Sequence, residues 1–342
     1  MNDHYVPGTD VILSGDHAVP KIVISRCIEF DNCRYDGRIV DSSWVRELAK
    51  YAEFIPVCPE CSIGLGVPRQ PVLLVSDEDR IRFIQPAGSG DLSEEVNRFS
   101  LFFLNSCDGI DGFMLKSKSP SCGINDVKLY TPGSMDVEFS RDGTGIFSQH
   151  VIRMFPYHPV INEVNMEDPE CRDCFLSRIF TLASFRNAID AVHRSNTVFP
   201  LMRFHRQNEF LLKSFDRSMF RQLDSIVKQM PGDLSKHKLS TLMNKYNICF
   251  LEVLSSGNVR SSRDRTLLDV SAIIQDHLCK IERLQLCSFI IRYFEGNVDS
   301  LSIRIYLISI ALKHNISYLL KQTFFNPYPL GLVKESEIVD DD

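Results

Sequence analysis

Three cysteines draw notice by where they fall. Cys27 lies two residues beyond Lys21-Ile-Val-Ile-Ser25, Cys58 directly follows Phe54-Ile-Pro-Val57, and Cys122 sits in Lys116-Ser-Lys-Ser-Pro-Ser-Cys-Gly123, after Gly112-Phe-Met-Leu115. Each short apolar run reads as a buried strand. In an open parallel sheet the carboxyl ends of the strands face one crevice, where ligands bind. Three thiols delivered there could meet. Three thiolates suit a [4Fe–4S] cluster with one iron free of protein, or a thiolate-rich zinc site. The residue types choose neither, and three unrelated buried thiols are the bland alternative.

The other thiols narrow the chemistry by exclusion. Eleven cysteines is an odd count in a 342-residue chain, and no disulfide framework of a small secreted protein looks like that. Cys58-Pro-Glu-Cys61 is a lone C-x-x-C with no second pair near it; Cys33 and Cys61 are spare thiols within reach of the site. Cys171-Arg-Asp-Cys174 opens a helical pattern (Phe175, Ile179, Leu182) and reads as packed or surface residues. Gly64-Leu-Gly-Val-Pro68 lacks the following helix of a phosphate loop. Ser119-Pro-Ser121 has no local histidine partner, so a serine nucleophile is unsupported. His205, near the start of an amphipathic helix, reads as a packing residue, and Lys116 as a loop-bracing cation.

The elements that position these residues change period along the chain. Strand patterns at 21–25, 54–57, 71–75, 80–84 and 112–116 alternate with helical patterns at 44–54 and 91–105. That order predicts an α/β fold, Rossmann-like, with an open and mainly parallel sheet. From Leu201 the apolar residues recur at helical spacing: Leu211, Phe215, Met219, Leu223, Ile226; then Leu239 to Val253; then Leu267, Val270, Ile274, Leu278, Ile281. This half is predicted all-α. The expected domains are 1–190 and 191–342, the second ending in an acidic tail from Val333 to Asp342.

Several motifs in order resemble one family. They are Ser25-Arg-Cys27 with Asn32-Cys-Arg-Tyr-Asp-Gly37, Cys58-Pro-Glu60 with Gly64-Leu-Gly-Val-Pro-Arg69, Lys116 to Gly123, Gly143-Thr-Gly-Ile-Phe147, and Arg172 to Phe180. The family is that of thiouracil desulfidase. The helical half resembles its frequent companion domain through Phe204-His205, Tyr293-Phe-Glu-Gly296 and the Asn-Pro-Tyr-Pro at 326–329, with eroded stretches at 207–209 and 269–276. The resemblance implies that Cys27, Cys58 and Cys122 bind a [4Fe–4S] cluster. It implies a non-redox removal of sulfur from a thiocarbonyl, such as 2-thiouracil giving uracil and hydrosulfide. Glu60, two residues after Cys58, is placed to act as general base. Ser119 is the candidate proton donor, and Ser121 and Asp36 are candidates to bind the substrate's edge. The alternatives are a non-catalytic iron–sulfur or sulfur-carrying protein, or a nucleic-acid repair or modification accessory.

Charge and hydropathy bound the rest. With 38 basic and 44 acidic residues the chain carries a net charge of −6, which argues against a general nucleic-acid binder. The longest apolar stretch, Leu301 to Leu312, is interrupted by Arg304, so no membrane span is expected. Met1 to Asp10 contains Asp3, Pro7 and Asp10 where a signal peptide needs a basic and then an apolar run. A cytoplasmic protein acting on a small thiolated base is the resulting expectation.

Overall fold

The computed structural model describes residues 17–77, 80–132, 134–230, 236–256 and 259–333. The N-terminal segment and most of the acidic tail read above lie outside these. The chain divides into two compact units, one of residues 19–183 and one containing 184–342.

The first unit holds two sheets. Strands β1 (Lys21–Ser25), β2 (Glu53–Val57), β6 (Gly112–Leu115) and β9 (Val160–Asn162) form a four-stranded sheet in the order β2-β1-β6-β9, every neighbouring pair parallel. Ile22, Val23 and Ile24 of β1 and Phe113, Met114 and Leu115 of β6 are fully buried, the mark of central parallel strands covered on both faces. Between β1 and β2 lies α1 (Ser43–Leu48), started by the Ser42 side chain accepting from the Val45 amide. Trp44 and Leu48 of the expected apolar face are buried, with Val45 beside them, but the helix stops six residues before the expected 54 and leaves Tyr51, the third residue expected on that face, beyond its end. The reason is tertiary: Glu53 must already pair with Lys21 in the parallel ladder.

A second sheet was not separable in the sequence. It takes β3 (Leu73–Asp77), β4 (Arg80–Gln85), β5 (Gly90–Asp91), β7 (Val127–Thr131) and β8 (Ser134–Gly143), in the order β5-β4-β3-β7-β8. Here β3 pairs antiparallel with β4 and parallel with β7. A strand pattern does not name its partner, so the runs expected at 71–75 and 80–84, observed as β3 and β4, had no label telling them from the first sheet. Helices α2 (Pro59–Ser62), α3 (Ser93–Asn105) and α4 (Ile146–Met154) complete the layers. One apolar cluster joins Val23, Val57, Phe113 and Leu115 to Leu104, Cys122, Phe147 and Val151.

Helix α5 (Pro169–Ser195) contains the boundary between the units. The second unit is helical: α6 (Phe199–Gln207), α7 (Glu209–Phe215), α8 (Arg217–Val227), α9 (Lys236–Ser255), α10 (Val259–Gln275), α11 (Lys280–Phe294), α12 (Ser300–Lys313) and α13 (Ser317–Leu320). Its core stacks Phe185 on Phe250 with ring centres 4.1 Å apart. His205 is buried as expected, parallel to Phe220 at 5.3 Å and 3.2 Å from the Tyr246 hydroxyl; burial pushes its pKa down. The predicted series Leu267 to Leu278 is buried, whereas Ile281 is 69% exposed. Helix α10 ends at Gln275, so the turn before α11 resets the helical phase.

Candidate functional site

Adjacent strands β2, β1 and β6 run parallel, so their carboxyl ends share one edge. Cys58 is the N-cap of α2 immediately beyond β2, Cys27 lies beyond β1, and Cys122 lies in the loop beyond β6. With Cys33 they line a single cavity of ≈ 540 Å³, a size typical of small-ligand sites. Its far wall comes from the second sheet, with Leu74 of β3 and Val127 and Tyr130 of β7. All four thiols are free.

The Cys122 loop is held by backbone. The first amides of α4 donate into it: Ile146 N to the Pro120 carbonyl at 3.2 Å, and Phe147 N to the Ser121 carbonyl at 2.9 Å. A helix N-terminus has just such amides to spare. Ser148 Oγ donates to the Cys122 carbonyl at 2.7 Å. The approach requires glycine at 145, where a Cβ would meet the Ser121 carbonyl oxygen at 2.4 Å and the Cys122 nitrogen at 2.8 Å. Lys116 braces the loop's start, its Nζ 2.6 Å from Glu163, which also accepts from the Ser117 amide and hydroxyl.

The thiols crowd one another. The sulfurs of Cys33, Cys58 and Cys61 lie within 4.8 Å of one another. The thiols of Cys58 and Cys61 point at the Cys33 carbonyl, at 4.0 and 3.8 Å. The Cys27 thiol, with burial behind it, pushes the Cys33 thiol up to about 11. Burial pushes Cys122 up to about 12, and the Cys33 contact and burial push Cys58 higher still. Buried neutral thiols packed sulfur against sulfur ionise when an electropositive centre replaces their protons. The donor set therefore fits a thiophilic metal or cluster.

A polar chain runs beside the thiols. Ser121, 2% exposed, donates its hydroxyl to Glu60 Oε1 at 2.8 Å. Its single proton is thereby used, so the 3.1 Å contact with Ser119 has Ser119 as donor. The other carboxylate oxygen of Glu60 is gripped by Arg69, through Nε at 2.8 Å and through Nη2. Both side chains of this ion pair are more than nine-tenths buried. Arg69 also reaches the Cys33 carbonyl at 2.9 Å.

The structure thus gathers Cys27, Cys58, Cys122, Glu60, Ser119 and Ser121 at one cavity. Asp36 is not among its lining residues. It pairs instead with Arg34 at 3.4 Å and accepts from the Arg38 amide, closing its own loop. Arg69 had no assigned role in the sequence reading, although it closes Gly64-Leu-Gly-Val-Pro-Arg69. The signal available was an arginine nine residues after the glutamate expected to act as base. Tyr130 and Lys128 of the far wall had no signal, because the second sheet brings them there.

The fold and site define an α/β domain with a thiol-lined cavity at the carboxyl edge of parallel strands. Comparison with known proteins is specific. Residues 22–163 match the family described as 2-thiouracil desulfurase, and residues 210–329 match a family described only as a protein of unknown function, DUF1722. An uncharacterized protein YbbK of Bacillus subtilis (strain 168) is 29% identical over 109 residues, covering 30% of this chain and 72% of that protein. A solved structure titled [4Fe-4S]-dependent thiouracil desulfidase TudS is 28% identical, covering 45% of this chain and 95% of its own, with a TM-score of 0.35. The match to the 2-thiouracil desulfurase family falls within the first compact unit, and the DUF1722 match within the second. Among the described residues, no helix is long and apolar enough to cross a membrane.

Proposed function

We propose that the first domain is a [4Fe–4S]-dependent desulfidase that replaces the sulfur of a thiocarbonyl by oxygen, with a small thiolated nucleobase such as 2-thiouracil as substrate. The observation that carries the reading is that Cys27, Cys58 and Cys122 all line one cavity, together with the buried Glu60–Arg69 pair. The family match over residues 22–163 supports the reaction type. Cys27, Cys58 and Cys122 would hold the cluster. When bound, it supplies an iron open to the soft sulfur of the substrate.

The chain's own residues supply positioning and proton transfer. Arg69 fixes Glu60 Oε2, so the carboxylate works through Oε1 and the Ser121 hydroxyl. A water that adds to the thiocarbonyl carbon gives a proton to Glu60 through Ser121 and Ser119, and the relay returns it to the leaving sulfur. The balance is C=S plus H₂O to C=O plus H₂S, with no net electron transfer. The cavity is mostly apolar, with Tyr35 and Tyr130 in its walls, an arrangement suited to a flat heterocycle.

The test is anaerobic reconstitution with iron and sulfide analysis, then hydrosulfide release from 2-thiouracil, 4-thiouracil and thiolated nucleosides. Cys27→Ser, Cys58→Ser and Cys122→Ser should each lose iron, whereas Cys249→Ser keeps it. Glu60→Gln should keep the cluster and lose turnover by about 10²–10⁴-fold. Tight zinc without inorganic sulfide, or a full cluster that releases no hydrosulfide from any of these compounds, refutes the assignment.

A further inference from the structure

The desulfidase reading leaves two thiols of the site without a task. Cys33 is buried and Cys61 half-buried. With Cys58 they form a trio whose sulfurs all lie within 4.8 Å of one another. This group differs from the proposed cluster ligands in two of its three members. Its members come from two elements, the loop after β1 and the short helix α2, with Cys58 as the N-cap and Cys61 three residues on.

We propose that Cys33, Cys58 and Cys61 form a second, mononuclear site for a thiophilic divalent ion such as zinc. Through Cys58 it shares a ligand with the cluster, so one chain holds one or the other. The distances suit a single ion. Thiolates on zinc lie about 2.3 Å from the metal and so about 4 Å from each other. Each sulfur of a 4.8 Å triangle reaches that radius by moving about 0.5 Å, within ordinary rotamer adjustment.

The surroundings suit the charge that such a site carries. Three thiolates and a divalent cation leave a net −1. The Arg69 guanidinium lies 3.7 Å from the Cys61 sulfur, and Arg26 lines the same cavity as Cys33 and Cys58. Guanidinium groups at thiolate sulfur favour the ionised, metal-binding form. Arg69 is itself fixed by Glu60 and by the Cys33 carbonyl, so it acts as an outer partner that holds its place. A water supplies the fourth position of a tetrahedral ion. The trio therefore works as a holding site for a chain not yet loaded with cluster, or one that has lost it.

The mutual exclusion rests on the cluster reading, whereas the trio itself does not, and the experiment separates the two. Full-length protein, freed of iron with a chelator under anaerobic conditions, is titrated with Co²⁺ alone. The readouts are the near-ultraviolet sulfur-to-cobalt charge-transfer band and the visible bands of tetrahedral cobalt. One ion per chain is expected, displaced by Zn²⁺. Cys61→Ser and Cys33→Ser should each weaken cobalt binding by at least about tenfold, the loss that even an outer-shell partner can carry, while Cys122→Ser leaves it within about twofold. Cys61 is half-buried, so its variant keeps the test valid if Cys33→Ser does not fold. Wild-type cobalt binding in Cys61→Ser, or loss of the bands in Cys122→Ser to the same extent, overturns the proposal. In cluster-loaded protein the cobalt bands should be absent; bands at full cluster occupancy overturn the shared ligand. Failure to load any cluster overturns the desulfidase reading and leaves the cobalt result standing.

Discussion

Arg69→Gln is the most informative single perturbation of the site. Among the described residues, it leaves Glu60 as a buried carboxylate with the Ser121 hydroxyl as its remaining hydrogen-bond partner. Removing one member of a buried ion pair costs roughly 3–5 kcal/mol, because the surviving charge stays desolvated. The Glu60–Arg69 pair meets that condition, with side chains 9% and 6% exposed and bonds from two guanidinium nitrogens. For a domain of this size about 1 kcal/mol moves Tm by roughly 2–4 °C, so the expected drop is about 6–20 °C. Glu60→Gln should cost less, about 1.5–3 kcal/mol, because Arg69 keeps the carbonyls of Cys33 and Gly66. The double variant should be more stable than the sum of the two losses by roughly 2–3 kcal/mol. The assay is urea denaturation of cluster-free protein for the wild type, both single variants and the double. An Arg69→Gln loss below about 1 kcal/mol, the value of an exposed pair, or strict additivity in the cycle, refutes the argument that the pair is desolvated and coupled.

Other expectations follow from single contacts. Gly145→Ala places a methyl 2.4 Å from the Ser121 carbonyl carbon and oxygen; the forced shift should cost about 1–3 kcal/mol and reduce iron retention, read by thermal melting and metal analysis. Burial pushes the Glu163 carboxyl up, but its bonds from Lys116 and Ser117 win and leave it below its ordinary 4.5. Its stabilisation is therefore present above that pH and lost as pH falls through the folded value, and Glu163→Gln should flatten the acid limb of a stability–pH curve. Arg172 lies 3.8 Å over the ring of Trp44, the only tryptophan. Arg172→Met should shift the intrinsic fluorescence and lower stability by about 1–3 kcal/mol; an unchanged emission spectrum would show that the stacking is absent in solution.

The sequence by itself determined the parts that depend on local pattern and residue type. Runs such as Ile22-Val-Ile24 and Phe113-Met-Leu115 bury completely, and a β-branched or apolar run with polar flanks says so without knowing its partner. The helical half was legible in the same way, up to the point where the turn after Gln275 reset the phase. Placing Cys27, Cys58 and Cys122 at strand ends needed only the run boundaries and the rule that parallel strands share a carboxyl edge.

Tertiary structure alone decided which strands share a sheet, because alternation has no address. The strands at 73–77 and 80–85 pair away from β1 and β2, and through β7 they bring Tyr130 and Lys128 to the cavity. It also decided that Glu60 is gripped by Arg69 while Asp36 turns to Arg34 and Arg38. A carboxylate's type gives its chemistry, but its partner depends on which loop folds over it. The physical reason is range. Burial and periodicity act within about one turn or one strand and are written in neighbouring residues. Strand pairing and the meeting of Cys33 with Cys61 depend on chain segments brought together only when strands such as β1 and β2 join one sheet.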